Sequence, residues 1–171
     1  MKDFIRLESF VFGHIGDEGF THSNAAETLR YRRQIGAENV KVLTDIKKKH
    51  SSHAITADVN IVDTAIAADF FLSGFSRLLG SDLKLILDGL ILTGSHTGVA
   101  ADVSELEAVK KAVDMQVWIG SGVTAKNIRD FSQADGLIIG SEFKKEGKWY
   151  NELDPDRILA ITQKNANKES E

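Results

Sequence analysis

The stretch TDIKKKHSSHAIT, residues 44–56, gathers side chains capable of acid–base chemistry and anion binding directly after the apolar run at 40–43. A carboxylate at a strand end, such as Asp45, can act as a base or bind a sugar hydroxyl. Lys47 lies two residues further on, so on an extended chain it projects to the same side as Asp45 and could pair with it or bind an anion. Asp45, Lys47 and His14, which follows the first apolar run, are therefore the candidate catalytic residues. The alternative is a solvated lysine loop.

Histidines in the same stretch raise the question of a metal site. His50 and His53 are three residues apart and would share one face of a helical turn, with His14 and Asp17 as further ligands. Their spacing matches no specific zinc signature, and the chain has no cysteine to supply thiolate ligands. We predict no metal and no cofactor, and His50 and His53 remain the residues that a metal would require.

Small residues follow the last two apolar runs, in IGSGVT and IIGS. Glycine lets the backbone approach a ligand closely, and free backbone amides attract anions. In (β/α)8 barrels the loops after the last two strands often bind phosphate. The predicted ligand or phosphate-binding residues are Gly120, Ser121, Gly122, Gly140 and Ser141, with Thr93 and Gly94 after the preceding apolar run. The alternative is that these glycines only form tight turns.

Apolar runs alternate with segments of helical period, which predicts strand–helix units and a parallel sheet covered by helices. The predicted strands are 4–12, 40–43, 89–93, 116–119 and 136–139. The predicted helices are 25–35, 59–72, 103–113, 126–134 and a last one that begins at Asp154-Pro155, an N-cap residue followed by proline. Ligands bind at the carboxyl ends of the strands in such folds, where the candidates lie. The sequence contains about five strand–helix units, whereas a complete barrel has eight. Two architectures are consistent with this number, an open doubly wound sheet and a partial (β/α)8 barrel.

Composition excludes several classes of protein. The 171 residues are 42% hydrophobic and 27% charged, which is ordinary for one packed domain. The net charge of −4 gives no reason to expect nucleic acid as a partner, and the longest apolar runs are too short for a membrane span. An apolar stretch at 74–87 interrupts the strand–helix rhythm, and the end of the chain, 164–171, is polar. We predict one domain over 1–163, with an atypical insertion at 74–87 and a disordered tail at 164–171.

The sequence resembles the BtpA family, which includes SgcQ-type proteins. The resemblance is carried by ESFVFGHIGDEGF, LRYRRQIGAENVKVLTDIKKKHSSHAIT, DGLILTGSHTG, WIGSGVTAKNI and DGLIIGSEFKKEGKWYNELDPDRI. It implies a (β/α)8 barrel of the ribulose-phosphate-binding type, of which this chain would supply roughly strands 4–8. It also implies a family of poorly defined activity, with a cyanobacterial member associated with photosystem I biogenesis and SgcQ-type members found among sugar-phosphate genes.

Two departures from the family pattern shape the functional expectations. Family members are longer at the N-terminus and lack the stretch at 74–87, which suggests a truncated or alternatively spliced product, or an imperfect gene model. We expect a protein that binds a phosphorylated sugar-like molecule and that forms a homo-oligomer. The alternatives are a non-catalytic assembly factor and an inactive truncated isoform. The expected location is the cytoplasm, or a mitochondrion or plastid if a longer form carries a targeting segment.

Overall fold

A computed structural model of the chain describes residues 4–78, 88–94 and 98–166. In chain order its strands are β1 (Phe4–Leu7), β2 (His14–Gly16), β3 (Gly19–Thr21), β4 (Lys41–Ile46), β5 (Gly89–Leu92), β6 (Gln116–Ile119) and β7 (Gly136–Leu137). The main sheet has five parallel strands in the order β1-β4-β5-β6-β7, and β2 and β3 form a separate antiparallel hairpin. The helices are α1 (Ala25–Gln34), α2 (Ile61–Leu78), α3 (Val103–Ala112) and α4 (Pro155–Ala166).

The main sheet is curled into a half-barrel. Phe4 on β1 and Trp118 on β6 have ring centroids only 5.9 Å apart, although β4 and β5 lie between their strands. In a flat sheet, strands three positions apart would be separated by about 14 Å. The sheet must therefore be concave on the side that carries these rings. The fold class is confirmed as α/β with a partial (β/α)8 barrel.

Side chains on the two faces of the main sheet have different surroundings. The convex face packs against the helices and forms the hydrophobic core, which includes Val42, Leu90 and Ile119 from the strands and Leu106 from α3. The alternate positions face the concave side, in keeping with the period of two along a strand. Arg6 on β1 and Asp45 on the neighbouring strand β4 contact each other on this concave side. The fold therefore brings charged side chains to the inside of the half-barrel.

A buried ion pair joins the strands to α1 at the end of the sheet opposite the candidate site. Asp88, just before β5, accepts hydrogen bonds from the Val42 backbone N–H at 2.6 Å and from Arg32 Nη1 at 2.9 Å. Burial raises the pKa of Asp88, and the bonds from Arg32 and Val42 oppose that rise. The pair fixes α1 against β4 and β5.

Several predicted boundaries differ from the structure. The first strand ends at Leu7 rather than residue 12, because the chain turns away and buries Phe10 under α1 before it forms the hairpin. The predicted helix at 126–134 is wrong, since only a short 3-10 helix, Ile128–Phe131, is present. Just before it, Asn127 Oδ1 accepts from the Thr124 backbone N–H at 2.7 Å, a bond of the kind that begins a helix.

The last helix confirms the predicted start. Asp154 Oδ1 accepts from the backbone N–H of Asp156 at 3.1 Å, and Pro155 is the first helical residue. This helix continues to Ala166, into the first residues of the predicted tail, and 167–171 lie outside the described residues. Likewise α2 runs through Leu78, into the predicted insertion, of which 79–87 lie outside the described residues.

Candidate functional site

Asp45 and Arg6 form a partly buried charge pair at the carboxyl end of the sheet. Arg6 Nη2 lies 2.8 Å from Asp45 Oδ1, and Arg6 Nε lies 3.1 Å from Oδ2, so the contact is bidentate. The Asp45 side chain is 1% exposed and that of Arg6 31% exposed. Burial raises the pKa of Asp45, while the hydrogen bond and charge of Arg6 act against that rise. The Arg6 guanidinium has further N–H groups that this pairing leaves available.

The three consecutive lysines after β4 point to three different places. Lys47 donates from Nζ to the Thr56 carbonyl at 3.3 Å, and Lys48 pairs with Glu8 at 2.7 Å. Lys49 has neither a hydrogen bond nor an ion pair among the described residues. Lys47 and His50 both have positive φ, 54° and 58°, which non-glycine residues rarely adopt. This backbone conformation directs the three lysine side chains to different partners. The stretch therefore differs from the alternative of a solvated lysine loop.

Lys49 and Arg6 line a cavity of about 300 Å³ at the carboxyl ends of the strands, here called the mouth cavity. The rest of its lining comes mainly from the loops after β6 and β7. All five residues predicted there to bind phosphate line it: Gly120, Ser121, Gly122, Gly140 and Ser141. The structure thus brings the two glycine-rich loops together around one space that also faces two cationic side chains.

The glycines that line the mouth cavity differ in whether their surroundings would accept a side chain. Gly122 has a φ of +68°, and a Cβ there would lie 2.3 Å from the Ala100 backbone nitrogen. A Cβ on Gly120 would lie 2.5 Å from Ile91 Cγ2 and 3.4 Å from Arg6 Nη2. Gly140, by contrast, has a negative φ of −118° and no atom within 4 Å of the position of a Cβ. Packing therefore does not require glycine at 140.

Backbone N–H groups in these loops are available to a ligand. Within the described part of the chain, those of Gly122, Gly140 and Ser141 have no hydrogen-bond acceptor. Glu142 also lines the mouth cavity, but Arg157 Nη2 lies 2.5 Å from its Oε2. That ion pair offsets the negative charge that would otherwise repel an anion.

Three of the predicted ligand residues, Thr93, Gly94 and Ser121, are buried. Ser121 Oγ accepts from the Gly94 backbone N–H at 2.6 Å and donates to the Val99 carbonyl at 3.0 Å. A Cβ on Gly94 would lie 2.2 Å from the same Val99 oxygen. Thr93 is buried, and its Oγ1 has no partner in the described residues. Thr93 and Gly94 do not line the mouth cavity, so they lie behind it.

His14 lies in a second, smaller cavity of about 20 Å³, here called the His14 cavity, which Asp45, Lys47 and His53 also line. This volume holds about one water molecule. His14 is 3% exposed, and its Nε2 has no hydrogen-bond partner among the described residues. Burial lowers the pKa of His14, and the nearby charges of His53 and Lys48 lower it further. The candidate catalytic residues Asp45, Lys47 and His14 thus meet at this cavity, beside the mouth cavity.

The histidines do not assemble a metal site in the described part of the chain. The rings of His14 and His53 are 5.5 Å apart between centroids, and His53 Nε2 lies 3.0 Å from the Lys48 carbonyl oxygen. His50 is exposed and does not line the His14 cavity. Among the described residues, no three histidine or carboxylate side chains are grouped in a way that could hold a metal ion.

Arg6 and Lys49 are the cavity residues that sequence reasoning missed. Arg6 lies within a predicted apolar strand. The sequence signal that could have identified it is the alternation that places Phe4, Arg6 and Glu8 on one side of that strand. Lys49 could not be separated from its neighbours by sequence, since its position depends on the positive φ of Lys47.

Known proteins similar to this chain share one family. A sequence model of the BtpA family matches residues 1–167. An uncharacterized mitochondrial protein of Caenorhabditis elegans is 46% identical over 91% of this chain and 51% of its own length. An uncharacterized protein of Methanocaldococcus jannaschii is 32% identical over 93% of this chain and 54% of its own. The photosystem I biogenesis protein BtpA of Synechocystis is 32% identical over 94% of this chain and 51% of its own.

The chain spans about half the length of these curated relatives. None of the helices in the described residues combines the length and the apolar character needed to cross a membrane.

Proposed function

This chain belongs to the BtpA family, and we propose that it binds a phosphorylated, sugar-like small molecule in the mouth cavity. The observation that carries the proposal is the pair of glycine-rich loops that line one space with Arg6 and Lys49. Free backbone N–H groups at Gly122, Gly140 and Ser141 supply donors for phosphate oxygens.

The size and charge of the mouth cavity support a small, anionic ligand. Its volume of about 300 Å³ lies at the lower end of the range for small-molecule sites. Arg6 can use N–H groups not taken by Asp45, and the Lys49 ammonium has no competing partner in the described residues. The neighbouring carboxylate of Asp45 can accept hydrogen bonds from sugar hydroxyls if it moves from Arg6.

A thermal-shift series tests the proposal. Sulfate, inorganic phosphate and a panel of sugar phosphates are added to the folded chain, because a ligand that binds only the folded state raises Tm. We expect at least one sugar phosphate to raise Tm more than sulfate does. Gly140→Val should remove the shift, since its side chain would occupy the open position beside the free amides.

The matched control is Gly36→Val, a change at a glycine with no atom within 4 Å of a Cβ and no place in the mouth cavity. Its φ of +65° lowers Tm without ligand, but the ligand-induced shift should persist. A melt that is unchanged by every anion, or a shift that survives in Gly140→Val, would count against the mouth cavity as the site.

A non-catalytic assembly role is the second candidate function. It is favoured by the name of the Synechocystis relative, a photosystem I biogenesis protein, and by exposed aromatic residues beside the cavity. Trp149 and Tyr150 are 68% and 65% exposed and stack edge to face with centroids 5.5 Å apart. Large exposed apolar groups often mark protein contacts. A cooperative melt without any ligand shift would favour this role over the first.

A further inference from the structure

Lys49 is placed in the mouth cavity by a strained loop. The residues that bracket Lys48 and Lys49, namely Lys47 and His50, both have positive φ. Such conformations are unfavourable for residues other than glycine and persist only where the surrounding structure holds them. Lys47 and Lys48 use their amines to bind Thr56 and Glu8. The loop therefore leaves one lysine amine, that of Lys49, directed to the cavity without a partner among the described residues.

The surroundings of Lys49 make its ammonium group easier to deprotonate than that of a free lysine. Burial lowers its pKa below the ordinary 10.5, and the positive charge of Arg6 lowers it further, while Asp45 and Glu8 act in the opposite direction. A neutral amine is a nucleophile, and a lysine near another cation is a recurrent arrangement for attack on carbonyl groups.

We propose that Lys49 forms an imine with the carbonyl group of a phosphorylated aldehyde or ketone bound in the mouth cavity. This inference rests on the proposed function, because the phosphate would be held by the glycine-rich loops. The Lys49 nitrogen lone pair forms a bond to the carbonyl carbon, and the carbonyl π electrons move to oxygen, which takes up a proton. The resulting carbinolamine loses water as the C–O bond breaks, and loss of the nitrogen proton leaves the C=N bond.

The size of the cavity restricts the substrate class. A space of about 300 Å³ suits a phosphorylated carbonyl compound of a few carbon atoms better than a nucleotide. When its nitrogen is protonated, the imine would accept electrons from the adjacent carbon atoms, which is the chemistry that carbon–carbon bond formation or cleavage next to a carbonyl requires.

Reductive trapping tests the inference. The chain is incubated with dihydroxyacetone phosphate and sodium borohydride, which converts an imine into a stable secondary amine. Mass spectrometry of the intact chain and of its proteolytic peptides then locates the adduct. We expect one adduct, at Lys49, and a rate at least about tenfold above that of any other lysine.

Two variants and one further compound complete the design. Lys49→Arg should abolish the adduct, and Lys111→Arg, at an exposed lysine in the last turn of α3, should leave it unchanged. Unphosphorylated dihydroxyacetone should react far more slowly. The melt of each variant checks that it folds. An adduct spread over surface lysines, or one that persists in Lys49→Arg, would overturn the inference.

Binding of dihydroxyacetone phosphate without borohydride is measured separately on the unaltered chain. Binding without a trapped adduct would overturn the role of Lys49 while the proposed function stands. If neither dihydroxyacetone phosphate nor any other sugar phosphate binds, both proposals fail together.

Discussion

At the scale of single residues, the charge pair of Arg6 and Asp45 stabilises the fold and shapes the candidate site at once. Asp45 is buried on the concave side of the sheet, where a lone carboxylate would be costly. Arg6 compensates that charge with two hydrogen bonds and still borders the mouth cavity. The pair also forms the boundary between the two cavities, since Asp45 lines the His14 cavity.

Removing Arg6 should therefore destabilise the fold. Arg6→Met leaves the Asp45 carboxylate buried without its partner, and we expect a loss of about 3–5 kcal/mol in the free energy of unfolding at pH 7. Urea unfolding measures it. The loss should shrink as the pH falls, because the unpaired Asp45 gains a proton more readily in the folded state than in the unfolded one. A double variant, Arg6→Met with Asp45→Leu, should recover much of the stability. A loss under about 1 kcal/mol would show that the pair contributes little.

The glycines at 122 and 140 should respond in opposite ways to alanine. Gly122→Ala places a Cβ within 2.3 Å of the Ala100 backbone and forces a residue into positive φ, so we expect a loss of more than about 2 kcal/mol. Gly140→Ala meets no atom and should change stability by less than about 1 kcal/mol. Chemical denaturation compares the two. Equal losses would mean that residue 140 has a packing role.

At the scale of elements, the hairpin β2–β3 and the short 3-10 helix Ala54–Thr56 close one side of the site. The hairpin is joined to the loop after β4 by two backbone hydrogen bonds between Ile15 and Ser52, at 3.1 and 2.7 Å. This contact buries His14 beside His53. The loops thus hold a histidine away from solvent with one ring nitrogen unpaired among the described residues.

Burial of His14 should make stability fall in mild acid. Its pKa is lowered in the folded state, so below the unfolded value of 6.5 the unfolded chain binds a proton that the folded chain binds less readily. The free energy of unfolding should therefore decrease as the pH falls from 7 to 5. The charged and titratable groups that face His14 are His53, Lys48 and Glu8. Urea titrations of the unaltered chain and of His14→Gln measure the effect. A decrease of the same size in His14→Gln would assign it to other groups.

The positions of the site loops could be predicted from the sequence, but the pairing within the site could not. Parallel strands put their carboxyl ends at one edge, so small residues after the last two strands had to lie near each other. The Arg6–Asp45 contact depends instead on the register that sets Arg6 opposite Leu43, which no local pattern encodes. The predicted helix at 126–134 is replaced by i→i−3 hydrogen bonds, in which the N–H groups of Asp130, Ser132 and Ala134 donate to the carbonyls of Asn127, Arg129 and Phe131. The capping bonds between Thr124 and Asn127 are those of a helix start, so the local sequence favoured a longer helix than the structure has.

At the scale of the whole molecule, strand pairing among the described residues leaves one side of β1 without a neighbouring strand. β1 pairs there with β4, and its Phe4 and Ile5 are 42% and 37% exposed. Exposed strand edges with apolar side chains favour pairing with another chain. The chain spans about half the length of its curated relatives.

Self-association through β1 follows as a prediction. Sedimentation of the unaltered chain should show a species larger than the 18.8 kDa monomer, in an amount that grows with protein concentration. Ile5→Lys should reduce it, since a lysine on an edge strand opposes pairing. Gln163→Lys, at an exposed position of α4, serves as the control, because it adds the same single positive charge outside β1. A monomer at every concentration would contradict the prediction.

The central claim is that the two glycine-rich loops bind a phosphate group, and amide chemical shifts test it most directly. Two-dimensional ¹H–¹⁵N NMR spectra of the labelled chain are compared with and without dihydroxyacetone phosphate, with sodium chloride at equal ionic strength as the reference. We expect the largest and saturable shifts at the amides of Gly122, Gly140 and Ser141, whose N–H groups have no acceptor in the described residues. Shifts confined to other regions of the chain, or none at saturating concentration, would contradict it.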